Sequence, residues 1–401
     1  MELYLQFGHG MMEHCRHLLR SWGGGAVVLS PRDLEPDQLA RFSADIRGID
    51  NGRLLFDPQF YLPHADHARL RRHDYWPDQY ETASFWSGSG PVELVTRLRD
   101  LNVALGCDRL ILPGLLATSI DDDWLAHQTA VLEAGSQVAD DKPLLMTIAL
   151  GSDAVRNQDQ LHDLLDSAAG WNPAGFYVVL EHPNGDYLVG DPSWLANFLD
   201  LVAGLRLRRR EVIVGYCTHQ FVIAGLANAT AICSGTWMNV RSFPPAKFYA
   251  AYEDEIRQRS VWYYCPQSLS EYKLPFLDLA HTQGLLAAME PDPSLGSNYV
   301  ANLFGGAQPT TVGLDEQNAF RHYLHCLHGQ VSGINSNSFD DEVAAERRRL
   351  EDARHLLTRL WNAGVLGQLR DFLQVIDFNL AAILAHSNTR GHQLRRSWGN
   401  L

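Results

Sequence analysis

The chain has 401 residues, of which 46% are hydrophobic and 20% charged, and its formal net charge is −14. That is enough apolar material for one large core plus an appendage, and it excludes a mostly disordered chain. The acidic balance excludes loose, whole-surface binding of nucleic acid, so a polyanion would have to be met by local basic patches.

No apolar run is long enough to span a bilayer, and the N-terminus lacks a basic-then-apolar secretory pattern. The six cysteines are widely spaced, with no paired metal motif. A cytoplasmic protein is therefore expected, away from membranes, with no metal and no cofactor.

In chain order, Leu3–Phe7 is a short alternating run ending in Gly8-His9-Gly10 and reads as a first strand, followed by helical spacing over Met11–Trp22. Ala26–Leu29 is a second strand ending in Ser30-Pro31-Arg32-Asp33, and Pro36–Ile46 is helical. The third strand, Arg53–Phe56, ends in Asp57-Pro58-Gln59-Phe60-Tyr61. From Leu62 to Pro91 the rhythm breaks into a long segment rich in His, Arg, Tyr and Trp, the kind of insertion that forms a lid or binding loop.

Alternation then resumes, with helix Val92–Leu105, strand Arg109–Leu112, helix Asp123–Gln137 and strand Leu144–Leu150. Helix Gln158–Ala169 and strand Phe176–Leu180 follow, the strand ending in Glu181-His182-Pro183-Asn184. Next come helix Ser193–Gly204, strand Val212–Val214, a short helix Phe221–Leu226 and strand Thr230–Cys233. Eight strands alternating with helices predict an α/β fold, a (β/α)8 TIM-type barrel over residues 1–243. No GxGxxG or P-loop follows a strand, so a nucleotide-cofactor fold is not supported.

Beyond Phe243 the pattern changes. Pro244–Arg259 reads as helical, Tyr263–Pro275 as an irregular aromatic stretch and Asn298–Gly313 as a loop. Helical patterns then cover Glu316–Gly329, Phe339–Ala363 and Gln368–Ala385. Residues 244–401 are thus predicted to be a helical appendage packed on the barrel.

In such a barrel the chemistry sits at the C-terminal ends of the strands. The substrate-binding candidates are His9, Arg32, Gln59, Tyr61, His182, Tyr216, His219, Gln220, Ser234, Thr236, Trp237, Asn239 and Arg241. Asp57 and Glu181 each end an apolar strand, where a carboxylate is partly desolvated and rigid; the structural alternative for both is a cap on the next turn. Two carboxylates on strand ends suit chemistry at a glycosidic carbon, one stabilising oxocarbenium charge and the other handling a proton or water.

Arg69, Arg71, Arg72, Arg208 and Arg209 are candidate contacts to a nucleic-acid backbone, and Arg347–Arg349 and Arg395-Arg396 are further basic clusters that read as solvated helix ends. Tyr61, Tyr75, Trp76, Tyr80, Phe85 and Trp86, interleaved with arginines, could stack bases or simply pack a lid. His322, His325, Cys326 and His328 fit no zinc spacing and read as a helix surface.

The segment Glu211–Phe243 resembles the tRNA-guanine transglycosylase superfamily, including its DNA-acting branch. In that family the seventh strand ends in a Gly-rich turn, a short helix follows, and the eighth strand delivers a nucleophilic aspartate before a Thr- and Arg-containing segment. Ile213–Tyr216, Phe221–Leu226 and Ala231–Arg241 fall in the same order, and Asp57-Pro58-Gln59-Phe60 is similar to the family's Asp-Ser-Gly-Gly-Phe-Gln segment. The resemblance implies a general acid/base role for Asp57.

The chain departs from the family at its nucleophile position, which holds Cys233 followed by Ser234, and it lacks the zinc cluster, leaving Cys265 and His281 without partners. A base-binding barrel without that nucleophile implies hydrolysis. The chain looks similar to phage-defence DNA glycosylases that remove glucosylated hydroxymethylcytosine and leave an abasic site, with the target base flipped into the barrel mouth. The alternatives are a base-exchanging transglycosylase on tRNA or DNA, a non-catalytic nucleobase-binding barrel, and a barrel hydrolase acting on a small sugar or nucleoside.

Overall fold

The structure is a computed structural model that describes residues 1–65, 67–78, 80, 82–249, 260–295 and 297–401. Its centre is a parallel sheet rolled into a nearly closed barrel. The order of strands is β3 (Gly52–Phe56), β2 (Gly25–Leu29), β1 (Glu2–Gln6), β9 (Ala231–Ser234), β8 (Glu211–Val214), β7 (Gly175–Leu180), β6 (Leu144–Leu150) and β4 (Leu110–Ile111). A two-residue strand, β5 (Leu116–Ala117), pairs with the far end of β6.

The seam lies between β3 and β4, where no ladder forms and Asp108 N donates to Leu54 O at 3.1 Å. The strands are short and apolar on both faces, as expected where side chains fill the barrel inside and helices cover it outside. All of Phe176–Leu180 is buried, and so is Leu145–Leu150.

The helices follow from their patterns. α1 (Met11–Trp22) buries Met11, His14, Cys15, Leu18 and Leu19, one stripe at helical spacing, and ends on Gly23 in the left-handed region. α2 (Pro36–Arg47) starts with a capping box in which Glu35 and Gln38 exchange side-chain and backbone bonds, with a proline in its first turn. α3 (Thr82–Ser87) and α4 (Gly90–Leu105) precede β4, and α5 (Asp122–Val138) precedes β6. α6 (Ser152–Arg156) and α7 (Gln158–Ser167) link β6 to β7, and α8 (Pro192–Arg206) links β7 to β8. The turn between β8 and β9 is a 3-10 helix, His219–Ala227.

Several expectations need correction. The segment 62–91, expected as one long loop, carries structure of its own among the described residues: 3-10 turns form at Pro63–Ala65 and Leu70–Arg72, followed by α3. Tyr75, Trp76 and Phe85 are buried, and Phe60 packs against Trp76, Tyr80 and Phe85, so these rings pack on one another, as in the packed-lid alternative.

The aromatic stretch after Arg259 is an antiparallel hairpin, β10 (Trp262–Cys265) with β11 (Ser270–Lys273), leading into α9 (Leu274–Thr282). Of the helix expected over 244–259, Pro245–Phe248 forms a 3-10 turn, and 250–259 lie outside the described residues.

The C-terminal helices are α10 (Glu316–Ser332), α11 (Phe339–Asn362), α12 (Ile376–Thr389) and α13 (Gly391–Ser397), with 3-10 turns at Gln368–Arg370 and Phe372–Gln374 where a longer helix was expected. The histidines of α10 are not a helix surface. His322 is 0% exposed and its ring bonds Tyr264 O and Ser297 Oγ at 2.7 Å each. His325 accepts from Trp22 Nε1 at 3.1 Å, and His328 stacks on the Trp22 ring at 4.2 Å. This face of α10 is the joint with α1 and the hairpin, which a count of histidine spacings does not reveal.

Candidate active site

Asp57 follows the last residue of β3, and its carboxylate points into the barrel, 0% exposed. Three tyrosine hydroxyls from three places converge on it. Tyr61, four residues on, donates at 2.8 Å to Oδ1 and lies 2.9 Å from Oδ2. Tyr216, just past β8, donates to Oδ2 at 2.9 Å, and Tyr177, inside β7, reaches the same oxygen at 3.3 Å while also facing Gln6 Oε1 at 3.1 Å. Gln59 N donates to Oδ1 at 2.9 Å.

The Gln59 side chain extends the network. Its Nε2 donates to Tyr216 OH at 3.0 Å and Ser30 Oγ at 2.9 Å, and its Oε1 accepts from Arg32 N at 3.1 Å. Gln59 (φ 51°) and Tyr216 (φ 58°) both lie in the left-handed region without being glycines, a conformation that costs free energy and clusters at functional sites. Gly215 makes room: a Cβ there would stand 2.6 Å from the Tyr177 hydroxyl.

The electrostatics follow from this enclosure. Burial pushes the Asp57 carboxyl up to about 6, against the pull of the Gln59 amide, the Tyr61 and Tyr216 hydroxyls and the Lys247 charge. Burial and the neighbouring carboxylate hold Tyr61, Tyr177 and Tyr216 well above their usual range, so each is a neutral donor at pH 7. Lys247 is buried; its Nζ donates to Asn239 O at 2.9 Å and lies 4.7 Å from the centre of the Tyr216 ring.

Tyr61 also lines a cavity of about 390 Å³ at the C-terminal end of the β3–β4 seam, walled by Leu62, His64, Tyr80, Leu115 and Tyr249. Asp57 does not open directly onto it. Tyr61, 2% exposed, stands between them.

The other expected residues separate into groups. His219, Ser234 and Arg241 belong to a second buried cluster, under α10. Arg241, 2% exposed, donates to Glu271 Oε2 and Tyr187 OH at 3.1 Å each, and its guanidinium lies 3.4 Å from the centre of the Tyr323 ring. Arg370 bonds the same Glu271 oxygen at 2.7 Å, and Tyr187 donates to Oε1 at 2.6 Å. Burial alone would raise Glu271, but Arg370 and Arg241 bring it down to about 2.

His219, packed on Tyr264 and near Tyr187 and Tyr323, is held neutral by burial, with its pKa at about 3. Ser234 sits beside Tyr323, one residue beyond Cys233, whose buried thiol feels the charge of Asp57.

Glu181 turns to α6, where its Oε2 accepts from Ser152 N at 3.0 Å, a cap on a helix that precedes its own strand and not on the turn that follows it. Gln220 pairs its amide with the Val189 peptide at 2.7 and 3.0 Å, and His182 bonds Asp186 O at 3.0 Å and stacks on Phe221. Thr236 is buried, Asn239 half-buried, and the half-buried Trp237 donates to His9 O at 3.1 Å, leaving the His9 side chain exposed.

Arg69, Arg71 and Arg72 are exposed on the segment beside the mouth, Arg72 pairing with Glu35 at 2.6 Å. Arg208 and Arg209 precede β8 and so lie at the opposite, N-terminal end of the barrel, away from the mouth. In a parallel barrel, sequence on either side of one strand falls at opposite ends.

Tyr177, Gln6, Ser30 and Lys247 were not anticipated. Tyr177 and Gln6 could have been flagged as polar groups inside strands that are otherwise apolar, since such groups need partners in the barrel interior.

No family model matches the chain. No curated protein matches it either. What the structure shows is the fold alone, a nearly closed α/β barrel of eight parallel strands. The Cys233 thiol at the family's nucleophile position is fully buried and held well above its usual pKa by burial. Cys265 is buried in the hairpin while the His281 ring bonds Gly306 O at 3.3 Å, and no group of three or more metal-ligating side chains occurs among the described residues. No helix among the described residues is long and apolar enough to cross a membrane.

Proposed function

We propose that the protein is an N-glycosylase that hydrolyses the bond between a modified base and its deoxyribose in DNA, with Asp57 as the catalytic carboxylate. The observation that carries this reading is a fully buried aspartate at a strand's C-terminal end, surrounded by three tyrosine hydroxyls and poised at about 6. A carboxylate with such a pKa is ionised at neutral pH yet basic enough to accept a proton.

In the reaction the C1′–N bond breaks and the base leaves with the bonding pair, while positive charge spreads over C1′ and the ring oxygen. Asp57 stabilises that charge and takes a proton from the incoming water, whose oxygen bonds to C1′; that proton then passes to the departed base, which leaves neutral and restores the carboxylate. The products are a free base and an abasic sugar. Substrate reaches Asp57 through the cavity at the seam, and Tyr61 must swing aside to admit it. Arg69, Arg71 and Arg72, beside the mouth, would meet flanking phosphates, Arg72 by giving up its pairing with Glu35. Glu181 receives no catalytic role, because its carboxylate caps α6.

Hydrolysis is favoured over base exchange by the inert setting of Cys233. The resemblance to phage-defence glycosylases makes glucosylated hydroxymethylcytosine the base of choice and anti-phage defence the setting. The test is to incubate the protein with glucosylated, hydroxymethylated and plain DNA and to count abasic sites. Abasic sites should appear on the glucosylated DNA and fall by at least about 100-fold with Asp57→Ala. Undiminished activity in that variant, or a labelled free base entering the DNA, would overturn the assignment.

A further inference from the structure

Two basic stretches far apart in sequence meet at the N-terminal end of the barrel. Arg208, just beyond α8, lines a cavity of about 500 Å³ together with Arg390, which precedes α13, and with His392 and Arg396 of α13. Arg390 is paired with Asp200 at 2.6 and 3.3 Å, an acid that also bonds His162 at 3.0 Å.

Arg208 donates to the carbonyl oxygens of Gly204 and Leu165, which satisfy its hydrogen bonds but carry no formal charge. Arg396 and His392 are exposed and make no hydrogen bond or ion pair among the described residues. Three guanidiniums therefore share one wall with a single directly paired carboxylate, in a chain whose net charge is −14. Burial and the adjacent Arg390 charge both push the Arg208 guanidinium down, with Asp166 the opposing influence. An anion in the cavity would relieve that repulsion.

Guanidinium forks match phosphate oxygens in pairs, and Gln393 and Ser397 add neutral donors on the same wall. The volume lies in the range of cavities that hold small organic ligands. We propose that this cavity binds a phosphate group, carried either by a free polyphosphate or nucleotide or by the backbone of DNA. The site is remote from Asp57, and the inference does not depend on the glycosylase reading.

The full-length protein is titrated with pyrophosphate by calorimetry and with an unmodified duplex oligonucleotide by fluorescence anisotropy, alongside Arg396→Glu and His392→Ala. Both substituted residues are exposed, and a thermal melt verifies folding. A free-phosphate ligand predicts saturable pyrophosphate binding that weakens at least about tenfold in Arg396→Glu. A backbone ligand predicts weaker duplex binding by that variant, with a log–log salt dependence shallower by about one contact. Failure of wild-type protein to bind either probe, or binding unchanged in both variants, would overturn the proposal.

Discussion

Asp57 carries its charge against the folded state. Its carboxyl rises from 3.8 to about 6 on folding, chiefly through burial, a difference on the order of 3 kcal/mol at neutral pH. Below about pH 4 both folded and unfolded chains hold the proton, and the group is neutral to stability. As pH rises toward 6 the unfolded chain gives up its proton first, so stability falls, and above that the penalty is constant. Asp57→Asn should therefore melt higher relative to the parent at pH 8 than at pH 4, and melts across that range are the check. A stability difference independent of pH would mean that Asp57 is not held in this state. The left-handed Gln59 and Tyr216 fit the same picture of stability given up at one spot, since each such residue costs about 1–3 kcal/mol.

At the scale of elements, the hairpin β10–β11 has the opposite electrostatic character. Glu271 on β11 is held down at about 2 by Arg370 and Arg241, against its own burial, so it favours the folded state. That contribution is complete above the ordinary value of 4.5 and is lost as pH falls toward 2. The residue ties together the segment after β9, the loop carrying Tyr187 and the turn at Arg370. Glu271→Gln leaves the buried Arg241 guanidinium without its carboxylate and should cost about 3–5 kcal/mol in denaturant titrations at pH 7. A loss under about 1 kcal/mol would show the pair to be dispensable. The hairpin was not legible in the sequence because its turn bears no Asn-Gly or Asp-Gly signal; the left-handed position is taken by Leu269 (φ 51°).

For the whole molecule, the unclosed β3–β4 seam is the place where the barrel has least backbone pairing. It is also where the cavity bounded by Tyr61 lies, and the Tyr61 hydroxyl is bonded to Asp57, so the proposed entry route runs through this seam. Hydrogen exchange should be faster for amides of β3 and β4 than for those of β1, β8 and β9, which are paired on both sides. Uniform protection around the barrel would argue against entry at the seam. The net charge adds a second global expectation: a polyanion approaches an acidic protein only along its basic faces, and the exposed arginines beside the mouth and the groove at the other end are two such faces.

The sequence by itself determined the barrel. Short apolar runs alternating with amphipathic helices have few other ways to bury both faces of a parallel sheet, and helix limits such as Met11–Trp22 follow from periodicity and a closing glycine. It also determined that Asp57 would stand at a strand's end, since one residue after an apolar run in such a fold has little choice. Only the tertiary structure decided which partners meet it. Tyr61, Tyr177 and Tyr216 come together through the stagger and closure of the strands, which local spacing does not encode. The same holds for the removal of Arg241, His219 and Ser234 to the joint with α10, and for the meeting of Arg208 with Arg396. Alternation along a strand turns neighbours to opposite faces, and the helices that pack there are set by contacts far along the chain.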